Sequence, residues 1–199
     1  MLKIYLYFFI SILIHELSHI IVAKIYKINI NNLRISIFGF SAQIENNKRN
    51  KTKEKILMYF VGPLFNFILA IIFYFSDIEH LEKLKIVYIN VCLGIFNLFP
   101  ILPLDGGNIL KEILKIKYKN LKANKISLFI SKIFLSVLIF IYSILIIKVK
   151  NISILALIIY LLYLNFVEEK KLKLLERTYK ILNKNLVMKD MENKEKILQ

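Results

Sequence analysis

Two histidines and a glutamate stand at the spacing H-E-x-x-H near the start of the chain, as His15-Glu16-Leu17-Ser18-His19. On an α-helix, residues four positions apart share one face, so His15 and His19 can present two imidazole nitrogens to one metal ion. Glu16 lies on the neighbouring edge of that face, where it could take a proton from a metal-bound water. Zinc hydrolases use this arrangement, so the motif predicts zinc-assisted hydrolysis.

The helix that must carry this motif is also long enough to cross a bilayer. The apolar run extends from Ile4 to about Tyr26, and about 20 apolar residues span the hydrocarbon core. Ionisable groups inside a span are costly, and those that occur there usually have a function. The three ionisable groups of the motif are therefore predicted to be functional. The alternative interpretation is a helix with hydrogen-bonded core histidines.

A third metal ligand is expected where a later apolar run breaks, within residues 97–107. Pro100 and Pro103 cannot continue a regular helix, and two glycines follow them. Broken backbone at membrane depth is tolerated only where it is buried in protein or lines a water-filled cavity. Asp105 lies at this break and would add a carboxylate to the two histidines, leaving a fourth zinc position for water. The alternative is that Asp105 only caps a helix beginning near Asn108.

Another polar side chain lies well inside the second apolar run. Asn66 ends the sequence Gly-Pro-Leu-Phe-Asn that begins at Gly62. Glycine and proline permit close helix packing or a kink at this point. An amide inside a span needs a hydrogen-bond partner. We assign Asn66 to the substrate cleft, and the alternative is that it only hydrogen-bonds another helix.

The composition predicts an all-α polytopic membrane protein with about five transmembrane helices. Hydrophobic residues make up 57% of the 199 positions, which fits a membrane protein better than a soluble domain. The net charge of +15 comes from lysines mainly between and after the apolar runs, so membrane topology explains it better than nucleic-acid binding does. The predicted spans are about 4–26, 56–76, 84–102, 127–147 and 151–167.

The loop charges predict the orientation of these spans in the cell membrane. The connections 27–55 and 103–126 are rich in lysine and are therefore predicted to be cytoplasmic. The connection 77–83 holds three acidic residues and one lysine and is predicted to be external. The N-terminus would then lie outside, and the active site and the C-terminus would face the cytoplasm.

Two segments outside the spans have patterns of their own. Residues 33–44 alternate and change phase near Gly39, which predicts a short interfacial β-hairpin. Its edge could pair with an extended substrate, or the hairpin could have no substrate role. From Leu172 to Leu186, apolar residues recur in steps of three and four, which predicts a cytoplasmic amphipathic helix. This helix either lies on the membrane or packs on its own chain, or it serves as a docking or dimerising helix.

Three motifs in combination resemble the site-2 protease family of intramembrane zinc metalloproteases, and are most similar to its sporulation branch. They are His15 to His19, Gly62 to Asn66, and the run 97–107. The resemblance implies one zinc ion per chain and a cleft beside it. The implied site residues are the zinc ligands His15, His19 and Asp105, the catalytic Glu16, and the cleft residues Asn97 and Pro103.

The resemblance also implies partners. In the sporulation branch the substrate is a membrane-associated precursor of a sigma factor, and inhibitory membrane proteins hold the protease inactive. Members usually have a transmembrane hairpin before the H-E-x-x-H helix, whereas His15 lies close to residue 1 here. They also usually carry a nucleotide-sensing CBS domain. We instead expect a protease domain at 1–167 and a basic, amphipathic tail at 168–199 with no CBS domain.

Together these patterns predict an intramembrane zinc metalloprotease that cleaves a membrane-associated or membrane-spanning precursor near the cytoplasmic side, with a pro-sigma factor as candidate. The rivals are a non-catalytic protein whose metal braces helices and a metal transporter that uses the same His/His/Asp site. A structural zinc takes four protein ligands. The remaining candidates are poor ones, because His80 lies in the predicted external loop and Cys92 lies about three helical turns before Asp105.

Overall fold

The structure is a computed structural model, and it describes residues 2–28, 30–36, 39–44, 52–149 and 152–197. Within these ranges the chain is helical apart from one strand pair and short connections. The elements, in chain order, are α1 (Leu2–Ile25), β1 (Ile30–Ser36), β2 (Gly39–Ile44), α2 (Thr52–Tyr74), α3 (His80–Asn97), α4 (Asp105–Lys117), α5 (Asn120–Val149) and α6 (Ile152–Ile197).

Three helices are long and apolar enough to cross a membrane, over Lys3–Ile25, Thr52–Tyr74 and Asn120–Ile144. They coincide with the predicted spans 4–26, 56–76 and 127–147. At most a third of each apolar stretch is buried inside the protein, and the remaining faces expose side chains such as Phe9, Ile71 and Phe140. Apolar faces of this extent are typical of a surface solvated by lipid.

The predicted count of five spans is not confirmed. The span expected at 84–102 falls on α3, an 18-residue helix with Glu82, Lys83 and Lys85 in its first two turns. These charges leave an apolar stretch shorter than the roughly 20 residues that cross a bilayer. The span expected at 151–167 falls on the first part of α6, which is likewise not among the three apolar helices found in the described residues.

The predicted span at 151–167 and the predicted tail helix form one continuous helix. The α6 helix has 46 residues, and its sequence contains neither glycine nor proline, so no residue favours a break near position 167. The helix therefore runs through the boundary at 167/168 between the two predicted domains. That division remains a prediction from composition.

The two strands cover the alternating segment predicted at 33–44. They pair antiparallel, with Ile30 opposite Ile44 and Ser36 opposite Gly39. Residues 37–38, between the strands, lie outside the described residues. The β2 strand contacts α1, which places the strand pair beside the helix that carries the H-E-x-x-H motif. Its location at the membrane interface remains a prediction.

The α2 helix is central to the arrangement because it packs against α1, α3 and α4. The α5 and α6 helices pack against each other, and α5 also contacts α4. Two ion pairs join α5 to α6, namely Lys132 with Glu169 at 2.8 Å and Lys125 with Glu176 at 2.7 Å. Because α4 contacts both α2 and α5, its first turn lies between the α1–α2 pair and the α5–α6 pair.

Candidate metal centre

His15, His19 and Asp105 converge on one point, although Asp105 follows His19 by 86 positions and His15 by 90 in the sequence. The Nε2 atoms of the two histidines are 3.1 Å apart. Asp105 Oδ2 lies 3.1 Å from His15 Nε2 and 3.3 Å from His19 Nε2. Among the described residues these three form a group that could hold a metal ion.

The spacing of these three atoms fits a zinc ion. Zinc–ligand distances of 2.0–2.2 Å in a tetrahedron place the ligand atoms about 3.3–3.6 Å apart. The observed separations of 3.1–3.3 Å lie at or just below that range. Two imidazole nitrogens and one carboxylate oxygen are also the donor set of a catalytic zinc, which keeps a fourth position for water or substrate. Neither His80 nor Cys92 belongs to the group.

Hydrogen bonds on the far side of each ring fix the histidine orientations. His19 Nδ1 donates to the backbone carbonyl of Met58 on α2 at 2.7 Å. A proton on Nδ1 leaves the lone pair of Nε2 directed at the metal position. The sequence has no signal for this contact, because any residue at position 58 offers a carbonyl.

His15 is oriented by Asn66, whose side chain is completely buried. The Asn66 Nδ2 atom lies 3.2 Å from His15 Nδ1, and Asn66 Oδ1 has no partner among the described residues. Exchanging the two atoms by a half-turn of the amide, an assignment that follows from the hydrogen-bond network, lets Oδ1 accept the proton of Nδ1. His15 Nε2 is then free to bind metal. Asn66 thus contacts a neighbouring helix, the alternative considered for it, and does so at the candidate site.

Gly62 lets α2 approach the two rings closely. A Cβ atom at this position would lie 2.4 Å from His19 Nε2 and 2.7 Å from His15 Cε1. Because real side chains do not approach so closely, residue 62 must be glycine for the two rings to keep their positions. The first residue of the Gly-Pro-Leu-Phe-Asn motif therefore makes room for the histidines, and the last one binds His15.

Asp105 is the first residue of α4, and it does not act as the cap of a later helix. The N-cap is Leu104, and it makes no side-chain capping bond. The carboxylate of Asp105 instead faces His15 and His19. Burial raises the pKa of Asp105, but the charges and hydrogen bonds of the two histidines outweigh burial and hold the pKa below its usual range.

The seven residues Leu98–Leu104, here called the carboxylate loop, deliver Asp105 to the histidines. The Leu104 N–H donates to the Ile101 carbonyl at 2.8 Å. A Cβ at Gly106 would lie 2.1 Å from the Leu98 carbonyl oxygen, and a Cβ at Gly107 would lie 2.6 Å from Ile101. The two glycines therefore allow the first turn of α4 to pack directly on the backbone of the loop.

Glu16 and the predicted cleft residues Asn97 and Pro103 lie outside the group of three candidate ligands. Glu16 is half-buried and interacts electrostatically with His19, but it is not one of the three grouped ligands. Asn97 donates to the Leu93 carbonyl of its own helix at 3.1 Å. Pro103 follows a cis peptide bond, and its carbonyl accepts from Asn108 Nδ2 at 2.7 Å. The catalytic role of Glu16 and the cleft roles of Asn97 and Pro103 remain predictions.

Two polar residues that sequence analysis did not single out contact the carboxylate loop. Leu102 N–H donates to the hydroxyl of Ser131 on α5 at 2.9 Å, and Asn165 on α6 donates to that hydroxyl as well. Both residues are small polar side chains inside apolar runs. That placement was the available signal, and it is the same signal that identified Asn66.

Residues 3–84 and 77–141 match the model of Peptidase family M50. The chain therefore belongs to this family, the site-2 protease family, and the resemblance inferred from three short motifs is confirmed. The matched region contains all three grouped ligands, Glu16 and the carboxylate loop. It ends within α5, before α6 begins.

Similar proteins include a zinc metalloprotease of Methanocaldococcus jannaschii, which is 34% identical over 137 residues, 65% of this chain and 39% of that protein. Stage IV sporulation protein FB of Bacillus subtilis is 30% identical over 122 residues, 59% of this chain and 42% of that protein. The chain thus spans about two fifths of these relatives. The solved structure of a site-2 protease from M. jannaschii matches with a TM-score of 0.64 and 28% identity, covering 82% of this chain and 76% of that one.

Proposed function

We propose that this protein is an intramembrane zinc metalloprotease with one zinc ion per chain, held by His15, His19 and Asp105. The observation that carries the proposal is the convergence of two Nε2 atoms and one carboxylate oxygen within 3.1–3.3 Å. This group lies beside Glu16 on a helix that is long and apolar enough to cross a membrane. The family match and the relatives named as zinc metalloproteases support it.

A zinc ion in this group would lower the pKa of water and polarise the scissile carbonyl. The residues of the chain supply the rest of the reaction. Glu16 takes a proton from the attacking water and delivers it to the scissile nitrogen as the C–N bond breaks, so that a neutral amine leaves. Met58 and Asn66 hold the two imidazoles in the ligating tautomer. The carboxylate loop holds Asp105 against both rings.

The proposed substrate is a membrane-associated or membrane-spanning protein that presents an extended segment to the site. For its carbonyl to reach the metal centre, a membrane-embedded substrate must unwind its helix locally, or a loop must be delivered from the cytosol. The β1–β2 pair beside α1 offers strand edges on which an extended segment can be held by main-chain hydrogen bonds. The likeness to a sporulation protein supports a pro-sigma factor as candidate substrate. Inhibitory membrane-protein partners remain a proposal that rests on the resemblance of the sequence motifs alone.

The loop charges support the orientation that we propose in the cell membrane. The N-terminus lies outside, and the active site and the basic tail 168–199 face the cytoplasm. The substrate is then cleaved near the cytoplasmic surface, and the partly exposed residues 103–105 offer water a path to the site. A pro-sigma factor released there enters the compartment in which it acts.

The test is co-expression of a tagged pro-sigma precursor with the wild-type chain, with Glu16→Gln and with Glu82→Gln. Glu16→Gln preserves the size and shape of the side chain but removes the base. Glu82→Gln makes the same change in α3, where the glutamate pairs with Lys85. We expect shortening of the precursor with wild type and Glu82→Gln, none with Glu16→Gln, and wild-type zinc content in all three.

Two results would contradict parts of this proposal. Cleavage by Glu16→Gln would show that Glu16 is not the base. Absence of zinc from the purified wild-type chain would contradict the metal centre itself. The structural-zinc alternative is disfavoured because the group supplies three protein ligands among the described residues, whereas a structural zinc site takes four.

A further inference from the structure

The carboxylate loop is held from behind by a closed set of hydrogen bonds. Leu102 donates its backbone N–H to Ser131 Oγ on α5 at 2.9 Å and accepts at its carbonyl from Asn165 Nδ2 on α6 at 3.4 Å. Asn165 Nδ2 also donates to Ser131 Oγ. One side chain from each helix therefore binds the same backbone residue, and the two side chains bind each other.

These groups are sealed from solvent. Ser131 is 0% exposed, Asn165 3% and Leu102 4%. An unpaired amide or backbone group in such a place carries a large desolvation penalty, so the three residues stabilise one another's positions only while the set is complete. The hydrogen bonds of both side chains are directed at the loop and at each other.

Apolar packing on both sides of the hydrogen bonds holds the loop in the same place. Ile101 packs in a buried cluster with Leu135 of α5 and Leu161 of α6. Leu102 packs in a second cluster with Leu128 of α5 and Leu172 of α6. The side chains of two consecutive loop residues are thus inserted between the helices at two levels, and Ser131 and Asn165 lie between those levels.

The clamped residue is connected to Asp105 by a short and rigid path. Leu102 precedes Asp105 by three residues, and the Leu104 N–H is bonded back to Ile101. A Cβ at Gly107 would lie 2.7 Å from the Leu102 nitrogen, so α4 rests directly on the clamped peptide. A displacement of Leu102 would therefore also displace the carboxylate of Asp105.

We propose that Ser131 and Asn165 are positioning residues that set the place of Asp105 by clamping Leu102, an inference that rests on the proposed zinc site. Asn165 lies on α6, beyond the residues that match the family model. The helix that follows the matched region thus takes part in assembling the metal centre. Loss of the clamp should weaken zinc binding through Asp105 and leave the two histidines in place.

The experiment measures zinc affinity by chelator competition on the full chain in detergent, for wild type, Asn165→Ala and Ser131→Ala. Partners behind metal ligands change affinity by about 10–100-fold, so we expect a loss of about 10-fold for each variant. Asn90→Ala is the matched control. Asn90 is also a buried helical asparagine, but it donates to Ile86 of its own helix, and its replacement should leave zinc affinity unchanged.

A second comparison separates positioning from general destabilisation. Asn165→Ala is combined with Asp105→Ala, and the residual zinc affinity of the double variant is compared with that of Asp105→Ala alone. If Asn165 acts through Asp105, the second substitution has no further effect. Equal losses in both backgrounds would overturn the proposal. Cleavage by Asn165→Ala should also recover at high zinc concentration, which a folding defect would not allow.

The outcomes distinguish the clamp from the function on which it rests. A wild-type chain that binds zinc and cleaves its substrate, with Asn165→Ala and Ser131→Ala variants of unchanged affinity, would refute the clamp and leave the protease intact. A wild-type chain that binds no zinc would refute both. Should Asn165→Ala fail to fold, Ser131→Ala provides the same test with the loss of a single hydroxyl group.

Discussion

Gly62→Ala adds one methyl group to α2 where that helix faces both candidate histidine ligands. The new carbon would lie 2.4 Å from His19 Nε2, 2.6 Å from His19 Cε1 and 2.7 Å from His15 Cε1. Ordinary contact begins at 3.4 Å. The His19 ring or the α2 backbone must therefore move by about 1 Å, the difference between 3.4 and 2.4 Å, for the methyl group to fit.

A shift of this size is several times what a metal site accepts, because zinc–ligand distances vary within about 0.2 Å. The His19 ring cannot swing aside freely, since its Nδ1 is bonded to the Met58 carbonyl at 2.7 Å. We expect zinc affinity to fall by about 100-fold, the upper end of the loss that follows when the support of a metal ligand is disturbed. Alanine also favours a helix over glycine by about 1 kcal/mol, so weaker helix formation would not explain the loss.

The assay is zinc competition against a chelator of known affinity, with wild type, Gly62→Ala and Gly94→Ala. Gly94 of α3 is the matched control, because a Cβ there would lie 2.9 Å from the Phe67 ring. The control thus crowds a helix contact without touching the histidines, and it should bind zinc as the wild type does. Wild-type affinity in Gly62→Ala would refute the argument that α2 holds the rings by close approach.

The remaining predictions concern the ligands and the groups behind them. His15→Ala, His19→Ala and Asp105→Asn should each lower zinc affinity by more than the roughly 10–100-fold typical of an outer partner, and normal zinc content in all three would contradict the ligand assignment. Asn66→Leu should lower zinc affinity within that range, and Asn66→Asp, which keeps an acceptor for His15 Nδ1, should lower it less; equal losses would argue against the orienting role. Gly106→Ala should lower the free energy of unfolding by about 1–3 kcal/mol through overpacking, seen as a lower melting temperature, and an unchanged melting temperature would contradict the close packing of α4 on the loop.

The sequence was sufficient to predict the metal group, because each part of it has a local signal. The spacing of His15 and His19 depends only on helix periodicity, and Asp105 stands at a break that prolines and glycines make visible. The groups that orient these ligands could not all be predicted in this way. The Met58 carbonyl has no residue-type signal, and Asn97 is as polar as Asn66 yet bonds its own helix, because only the packing of helices decides which amide faces the site.

The extent of α6 was not predictable from the hydrophobic pattern. The sequence changes from apolar to charged near residue 168, and that change was interpreted as a domain boundary. Hydrophobicity reports the surroundings of a segment, whereas continuity of a helix depends on the backbone. Without glycine or proline the backbone continues through the change.

The length of α6 has a mechanical consequence for the carboxylate loop. From Asn165 to the end of the helix at Ile197 the backbone extends about 48 Å at 1.5 Å per residue. If the helix pivots at the ion pair between Glu176 and Lys125 of α5, about 32 Å of it lies beyond the pivot and about 17 Å lies between the pivot and Asn165. A force applied at the far end is then about twofold larger at Asn165, which donates a hydrogen bond to the Leu102 carbonyl, and through the clamp that we propose it acts on the position of Asp105.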